Sequence, residues 1–475
     1  MKLLLKILLF IFIISSNISI LTAQPITWQK IIGGPQDESG QFGIQTYDGD
    51  YIILNTKVAA DGGPYLLNID QYGNEMWNRI IDTLSTCKCI QQTNDSGFIV
   101  SGSKNNKGIL IKTDRIGNVI WKKLYSINNR ATAFTMLRVS ESSNILVCGY
   151  TSFFPVKAFV MNLDPLGNII WQSILNYGGD AFAEDLIINN DSNIYLTGDI
   201  SVNSFSKTLI AKMDSQGIFF WFKSFGLEGE GDSQVGKSIV AESNRELFIS
   251  GPFDHFFSAQ AHFTKIDSSG NVIFQNVLSQ TNNTNSMCRT INGKYGITGI
   301  WEDSSVNILF LLLNNTGEVV SRKVFNSNVD EIDGATSIVE TSDNGFLITG
   351  FTTYIPNLSG SNRNIYIIKT DSNGNSPVSV KTISSEIPFA FNLYQNYPNP
   401  FNPNTKIKFD LQKSGNVKLE MFDILGRNIS TLIDKKLQTG SYEVSYDMSD
   451  MNSGVYFYKL EAGNFSQTKK MFLIK

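Results

Sequence analysis

The segment Asp114–Trp121 reads DRIGNVIW, and the same order of residues returns as DQYGNEMW from Asp70, DPLGNIIW from Asp164 and DSQGIFFW from Asp214. Weaker copies follow as DSSGNVIF from Asp267, NNTGEVVS from Asn314 and DSNGNSPV from Asp371, giving successive spacings of 44, 50, 50, 53, 47 and 57 residues. A period near fifty marks seven copies of one structural unit. Within the motif, the Asp carboxylate can accept an N–H two residues on, and Gly supplies the positive φ of a tight, bulged hairpin turn. The turn is expected to join the third strand of each unit to its fourth.

Upstream of each motif lies a polar turn and a short apolar strand that usually closes on glycine. The copies are NDSGFIVSG to Gly102, SSNILVCG to Gly149, DSNIYLTG to Gly198, NRELFISG to Gly251, NGKYGITG to Gly299 and SDNGFLITG to Gly350, with YDGDYIILN to Asn55 in the first unit. Short apolar runs separated by Gly, Asn and Asp clusters read as four antiparallel strands per unit, which is a propeller blade. Trp77, Trp121, Trp171 and Trp221 then begin the outer strands. Their recurrence at one position points to packing against the neighbouring blade, with ligand stacking as the functional alternative.

The two ends decide whether the array closes. Near the start, ITWQKIIGG carries Trp28, Gln29 and Lys30 in the pattern of WKKLY at Trp121, yet no turn motif precedes it. In the seventh unit Pro377 and Val378 stand where the apolar residue and Trp belong. A leading strand that replaces the missing one removes both open edges, so the reading is a seven-bladed β-propeller closed by its N-terminal strand.

Composition agrees with an all-β chain. Among 475 residues there are 38 Gly, 42% hydrophobic and 17% charged residues, and the net charge of -4 provides no field for a nucleic-acid backbone. Residues 1–23 have Lys2 and Lys6, an apolar run and Ala23, the pattern of a cleaved signal peptide. Ser15, Ser16, Asn17 and Ser19 break the run, which argues against a retained transmembrane helix. Cys87, Cys89, Cys148 and Cys288 are too few for a disulfide framework, and a C-x-C pair lacks zinc spacing. Small buried thiols are expected, with one disulfide compatible with export.

After SVKTISSEIPFA the repeat stops. KIKFDL, VKLEMF, YEVSY and VYFYKL alternate apolar and polar residues, as the strands of a small sandwich do, and Pro398, Pro400 and Pro403 fix an extended entry. The segment from Phe391 resembles the type A sorting domain of type IX secretion cargo through YPNPFNP (Tyr397–Pro403), the DILGRNI turn with Asp423, Gly426 and Arg427, GSYEV (Gly440–Val444), SGVYFYKL (Ser453–Leu460) and TKKMFLIK. The resemblance implies an Ig-like β-sandwich recognised by the outer-membrane translocon and removed by its sortase, leaving a released or surface-attached protein. It carries a sorting role to Gly426, Arg427, Gly454, Lys469, Lys470 and Lys475. For Arg427 the residues alone suggest a hairpin cation paired with a nearby carboxylate. The Asp, Gly, Trp repeat is similar to the tryptophan-docking motif of quinoprotein-type propellers, and that likeness implies a propeller without mapping any quinone or calcium ligand.

Catalytic chemistry finds little to stand on. The two histidines, His255 and His262, share the segment GPFDHFFSAQAHF, which leaves no Ser-His-Asp or multi-His arrangement from separate loops. Asp37 and Glu38, or Asp330, Glu331 and Asp333, could pair as glycosidase acids or serve as solvated loop charges. NNDSN (Asn189–Asn193) and DEIDG (Asp330–Gly334) are oxygen-rich without the twelve-residue calcium-loop pattern. Phe253, His255, Phe256 and Phe257 could form a binding rim or ordinary packing. No catalytic, metal or cofactor residue is assigned. The organisation expected is a signal peptide over 1–23, a propeller over 24–383, a linker over 384–390 and a sorting domain over 391–475. The ring is expected to be a noncatalytic binding module for a glycan or protein, on the cell surface or secreted, with a secreted polysaccharide-active enzyme as the alternative.

Overall fold

A computed structural model describes residues 26–474 apart from 34–35, 59–61, 84, 153, 203–204, 227–231, 244, 256–257, 279–280, 303–304, 328–330, 354–361, 377–379, 385–386, 403 and 449–450. The signal-peptide segment and residues 377–379, with Pro377 and Val378, therefore lie outside the described residues. Every regular element in the described chain is a β-strand.

Seven antiparallel sheets follow the fifty-residue period. Their inner strands are Asp37–Gln45, Thr86–Gln92, Thr132–Val139, Ala181–Ile188, Ser238–Ala241, Asn283–Arg289 and Asp333–Glu340. Each inner strand touches the next around the ring, and the last touches the first, so the array is a closed circle. Middle strands such as Phe98–Lys104 and Lys107–Thr113 are almost wholly buried, because neighbouring blades cover both of their faces. Outer strands such as Val119–Tyr125 alternate, with one face open to solvent.

Blade 7 is completed from the other end of the chain. Trp28–Ile32 pairs antiparallel with Asn364–Thr370, placing Trp28 opposite Lys369 and Ile32 opposite Ile365. The strand Asn364–Thr370 is buried throughout, and its free edge would otherwise expose a row of unpaired N–H and C=O groups.

The glycine that closes each second strand has a local cause. Opposite it the inner strand bulges, skipping one residue between Cys87 and Cys89, Phe134 and Met136, Ala183 and Asp185, Thr284 and Ser286, and Ala335 and Ser337. At that point the inner carbonyl folds against the partner: a Cβ on Gly149 would stand 1.9 Å from Ala133 O, and one on Gly198 would stand 2.0 Å from Phe182 O. In blade 1 the pair is reversed. Gly40 sits on the inner strand opposite Asn55, which explains why the first unit can end on asparagine.

The C-terminal domain is a sandwich of two four-stranded sheets. Their order is Val380–Ser384, Gly440–Asp447, Asn404–Leu411, Asn392–Leu393 and Asn428–Leu437, Gly415–Phe422, Gly454–Ala462, Phe465–Leu473. Leu393, Phe409, Leu419, Met421, Tyr458 and Met471 form one core between them. One boundary is corrected here. The sequence reading ended the ring at Ile383 and made 384–390 a linker, but Val380–Ser384 pairs with Gly440–Asp447. With Trp28–Ile32 holding the edge of Asn364–Thr370, the strand Val380–Ser384 finds its backbone partners on the sandwich.

Candidate functional site

The recurrent turn is a complete hydrogen-bonding device. In blade 3, Asp164 Oδ1 accepts the N–H groups of Leu166 (2.9 Å) and Asn168 (2.8 Å), Oδ2 accepts Asn168 Nδ2 (2.8 Å), and Gly167 N–H donates to Asp164 O (2.9 Å). The bonds from Asn168, backbone N–H first, hold the Asp164 carboxyl below the usual carboxylate range. Gly167 has φ +77.

Each turn is capped by the blade before it. A Cβ on Gly73 would stand 2.9 Å from Trp28, on Gly117 2.8 Å from Trp77, on Gly167 2.8 Å from Trp121, on Gly217 2.6 Å from Trp171 and on Gly270 2.6 Å from Trp221. The indole N–H of Trp28 donates to Gln71 O (2.9 Å) and that of Trp171 to Ser215 O (3.0 Å). Phe274 takes the same place over Gly317. Ser321 Oγ completes the circle by donating to Asn373 O (2.9 Å). Lysines two residues after the aromatic, Lys123 and Lys223, donate to Asn168 Oδ1 (2.8 Å) and Asn271 Oδ1 (2.7 Å) of the turns they cover.

A second circle lies on the inner rim and was not found in the sequence. The bulged residues are Gln41, Lys88, Thr135, Glu184, Lys237, Asn285 and Thr336, all polar, each fourteen positions before the residue that closes the second strand. Several reach the next blade: Thr135 Oγ1 donates to Ala183 O (2.8 Å), Asn285 Nδ2 to Ala335 O (2.8 Å) and Thr336 Oγ1 to Gly40 O (2.9 Å). Lys237 Nζ pairs with Glu184 Oε1 at 2.7 Å, and Lys88 is exposed. One residue further on, Asp185 is buried, binds Arg138 Nη2 (3.0 Å) and accepts Ile239 N–H (3.0 Å) and Ser238 Oγ (3.1 Å). Burial raises the Asp185 carboxyl, with Arg138 opposing. The fixed spacing was the signal that could have revealed this ring.

Each described acid named from sequence has a local hydrogen-bond partner. Asp37 accepts Arg363 N–H (2.6 Å), Glu38 accepts Tyr65 OH (2.8 Å), Glu331 accepts Thr353 Oγ1 (2.6 Å), and Asp333 is buried on Ser327 N–H (2.6 Å). Asp330, Phe256 and Phe257 lie outside the described residues, as does the His255 side chain, and Phe253 is buried. Asn189–Asn193 is a turn in which Asn189 Oδ1 accepts the N–H groups of Asp191 and Asn193. His262 is buried between Thr264 and Val235 O, and burial lowers its pKa to about 4. The cysteines are free thiols, and burial raises those of Cys87 and Cys288 to about 12 and that of Cys89 to about 11, while Cys148 is raised as well. Among the described residues no three His, Cys, Asp or Glu side chains are grouped to hold a metal ion.

In the C-terminal domain, Gly426 has φ +75 and Arg427 pairs with Asp423 at 2.6 Å. Gly454 is exposed at the start of Gly454–Ala462. Lys469 and Lys470 lie in the final strand opposite Tyr458 and Phe457, with Lys470 Nζ 4.9 Å from the Phe472 ring. A cleft of about 440 Å³ brings the Gly426 turn together with Phe457, Lys459 and Thr468 of the last two strands. Gly454 is not part of it, and Lys475 lies outside the described residues.

Residues 395–475 match the family described as the secretion system C-terminal sorting domain. This is a type IX sorting tail, and it implies recognition by that secretion system and export to the cell surface or beyond. No helix of the described residues is long and apolar enough to cross a membrane. No curated protein matches the sequence. Solved structures with a similar shape include an ulvan lyase described as a new polysaccharide lyase family, at 9% identity and TM-score 0.49 over 73% of this chain and 97% of that one. A Synechocystis apocarotenoid oxygenase variant has 10% identity and TM-score 0.39 over 90% and 97% of the two chains, and a europium-containing methanol dehydrogenase has 9% and 0.36 over 70% and 93%. At such likeness no activity carries over to this chain.

Proposed function

We propose that the chain enters the periplasm on a signal peptide cleaved near Ala23, crosses the outer membrane under the direction of its C-terminal domain, and presents the propeller outside as a noncatalytic binding module. Gly426, Arg427, Gly454, Lys469, Lys470 and Lys475 belong to the sorting signal in this reading, and the domain is removed by the sortase after passage. The observation that carries the passenger role is the inner rim. Its polar side chains Thr135, Asn285, Thr336, Glu184 and Lys237 hold blade to blade, which leaves the loops of the ring to meet a glycan or protein ligand. A chain ending at Ser376 keeps every ring strand and loses the sorting domain. It is expected to accumulate folded in the periplasm, and normal surface delivery would refute the sorting role.

One observation favours an enzyme acting on polysaccharide. Burial raises the Asp199 carboxyl to about 6, within reach of the charges of Glu184 and Lys237, and perturbed acids of this kind mark catalytic sites often enough to be tested. A glycan array probed with the intact protein, followed by a cleavage assay on every glycan bound, separates the two. Turnover abolished by Asp199→Asn would establish the enzyme and end the noncatalytic reading.

A further inference from the structure

The turn Asp423–Arg427 of the C-terminal domain is the propeller's turn in a different setting. Asp423 Oδ1 accepts Leu425 and Arg427 N–H (both 2.9 Å), Gly426 N–H donates to Asp423 O (3.0 Å), and Asp423 N–H donates to Arg427 O (3.0 Å). Arg427 Nε on Oδ2 replaces the asparagine amide found in the ring. In the propeller an aromatic side chain covers the turn glycine at each of Gly73, Gly117, Gly167, Gly217, Gly270 and Gly317, whereas nothing lies within 4 Å of a Cβ built on Gly426. Ile424 and Leu425 beside it are 70% and 73% exposed, and the cleft lined by Phe422 and Phe457 opens there.

The geometry points to an aromatic-docking site on this turn, filled by a protein that presents tryptophan on an exposed strand with a carboxylate two residues after it. The charge follows from the ring. There the cation two positions past the aromatic meets the turn's asparagine oxygen, as Lys123 meets Asn168. Here the turn presents the guanidinium of Arg427, 73% exposed, where the ring presents an amide oxygen, so the complementary group is an acid. Tryptophan fits because a flat ring lies over a glycine without a Cβ while its N–H reaches the carbonyl one residue past the aspartate, as Trp28 does at Gln71. The inference deepens the sorting role proposed above and rests on it.

A short strand peptide carrying fluorotryptophan in a Trp-x-Glu series tests the site, read by fluorine NMR on the intact chain. All six tryptophans of the protein precede the C-terminal domain, and none carries fluorine. Binding of Trp-x-Glu is expected, about tenfold weaker after Trp→Ala in the peptide, by the size of an aromatic contact. Ile424→Asp should abolish it. Arg427→Asn restores the ring's own turn and should reverse the preference to Trp-x-Lys. No binding by the unaltered chain, binding indifferent to Ile424→Asp, or an unchanged preference in Arg427→Asn would each overturn the docking site. Surface delivery scored separately keeps the readings apart: normal delivery of the Ser376 truncation sinks sorting, while absent peptide binding sinks only this mode of recognition.

Discussion

Trp28→Ala tests ring closure at its one non-contiguous seam. Trp28 is 7% exposed, meets Tyr51 edge-on with ring centroids 6.0 Å apart, covers Gly73 and donates to Gln71 O. It therefore ties the strand it leads, which completes blade 7, to blade 1. Truncating a packed tryptophan costs about 3–5 kcal/mol. For a ring of this size that is a fall in melting temperature of roughly 4–7 °C. Phe154→Ala, at a residue 86% exposed, is the control and should stay within about 0.5 kcal/mol. Hydrogen exchange locates the damage. Amides of Asn364–Thr370, which pair with Trp28–Ile32, should lose protection first, while those of a distant middle strand such as Ile194–Val202 keep theirs. A melting temperature within a degree of the parent, or protection lost evenly around the ring, would refute the idea that this strand is the closure.

Gly217→Ala should cost about 2–4 kcal/mol, since its φ of +84 strains any L residue and the new Cβ would stand 2.6 Å from Trp171; Gly178→Ala, with open space around it, should be near neutral in the same denaturation series. Two buried groups oppose each other in the pH profile. Asp199 is raised by burial to about 6, so the folded state binds its proton more readily and stability falls as pH rises from about 4 to 6. His262 is lowered by burial to about 4, so stability is complete above its ordinary 6.5 and is lost as pH falls through that window. Each contributes about 3 kcal/mol at most. Asp199→Asn should therefore uncover a steep loss of stability below pH 6.5 that chemical denaturation of the parent does not show, and equal slopes would count against both assignments.

The parts of this molecule that were legible in the sequence are those in which one residue type does one job at one register. Asp164, Gly167 and Trp171 are visible because the turn, the positive φ and the ring that covers the next turn each tolerate few alternatives. Blade 5 and blade 6 degrade to Phe274 and Ser321, and the covering still holds, since Phe274 lies over Gly317 and the Phe310 ring lies over Gly374 while Ser321 keeps a hydrogen bond to that turn. The buried lysines were not legible. Lys369 is fully buried and reaches Asp343 (2.9 Å) and Thr370 O (2.8 Å), a role no local pattern announces because its partner is 26 residues away.

The inner rim shows a different limit. A bulged residue faces the neighbouring blade's backbone, and a carbonyl can be satisfied by Thr135, Asn285 or Thr336 alike, so selection acts on polarity and reach rather than on identity. Only the constant offset to the closing residue survives as a signal, and it acquires meaning once the Ala133 carbonyl is seen against Gly149. The same reasoning explains Val380–Ser384. Its sequence suits either a propeller rim or a sandwich edge, and the competition is decided by Trp28–Ile32, which holds the rim with a buried tryptophan. An edge strand's allegiance is set by what else wants the edge, and that information lies three hundred and fifty residues away along the chain.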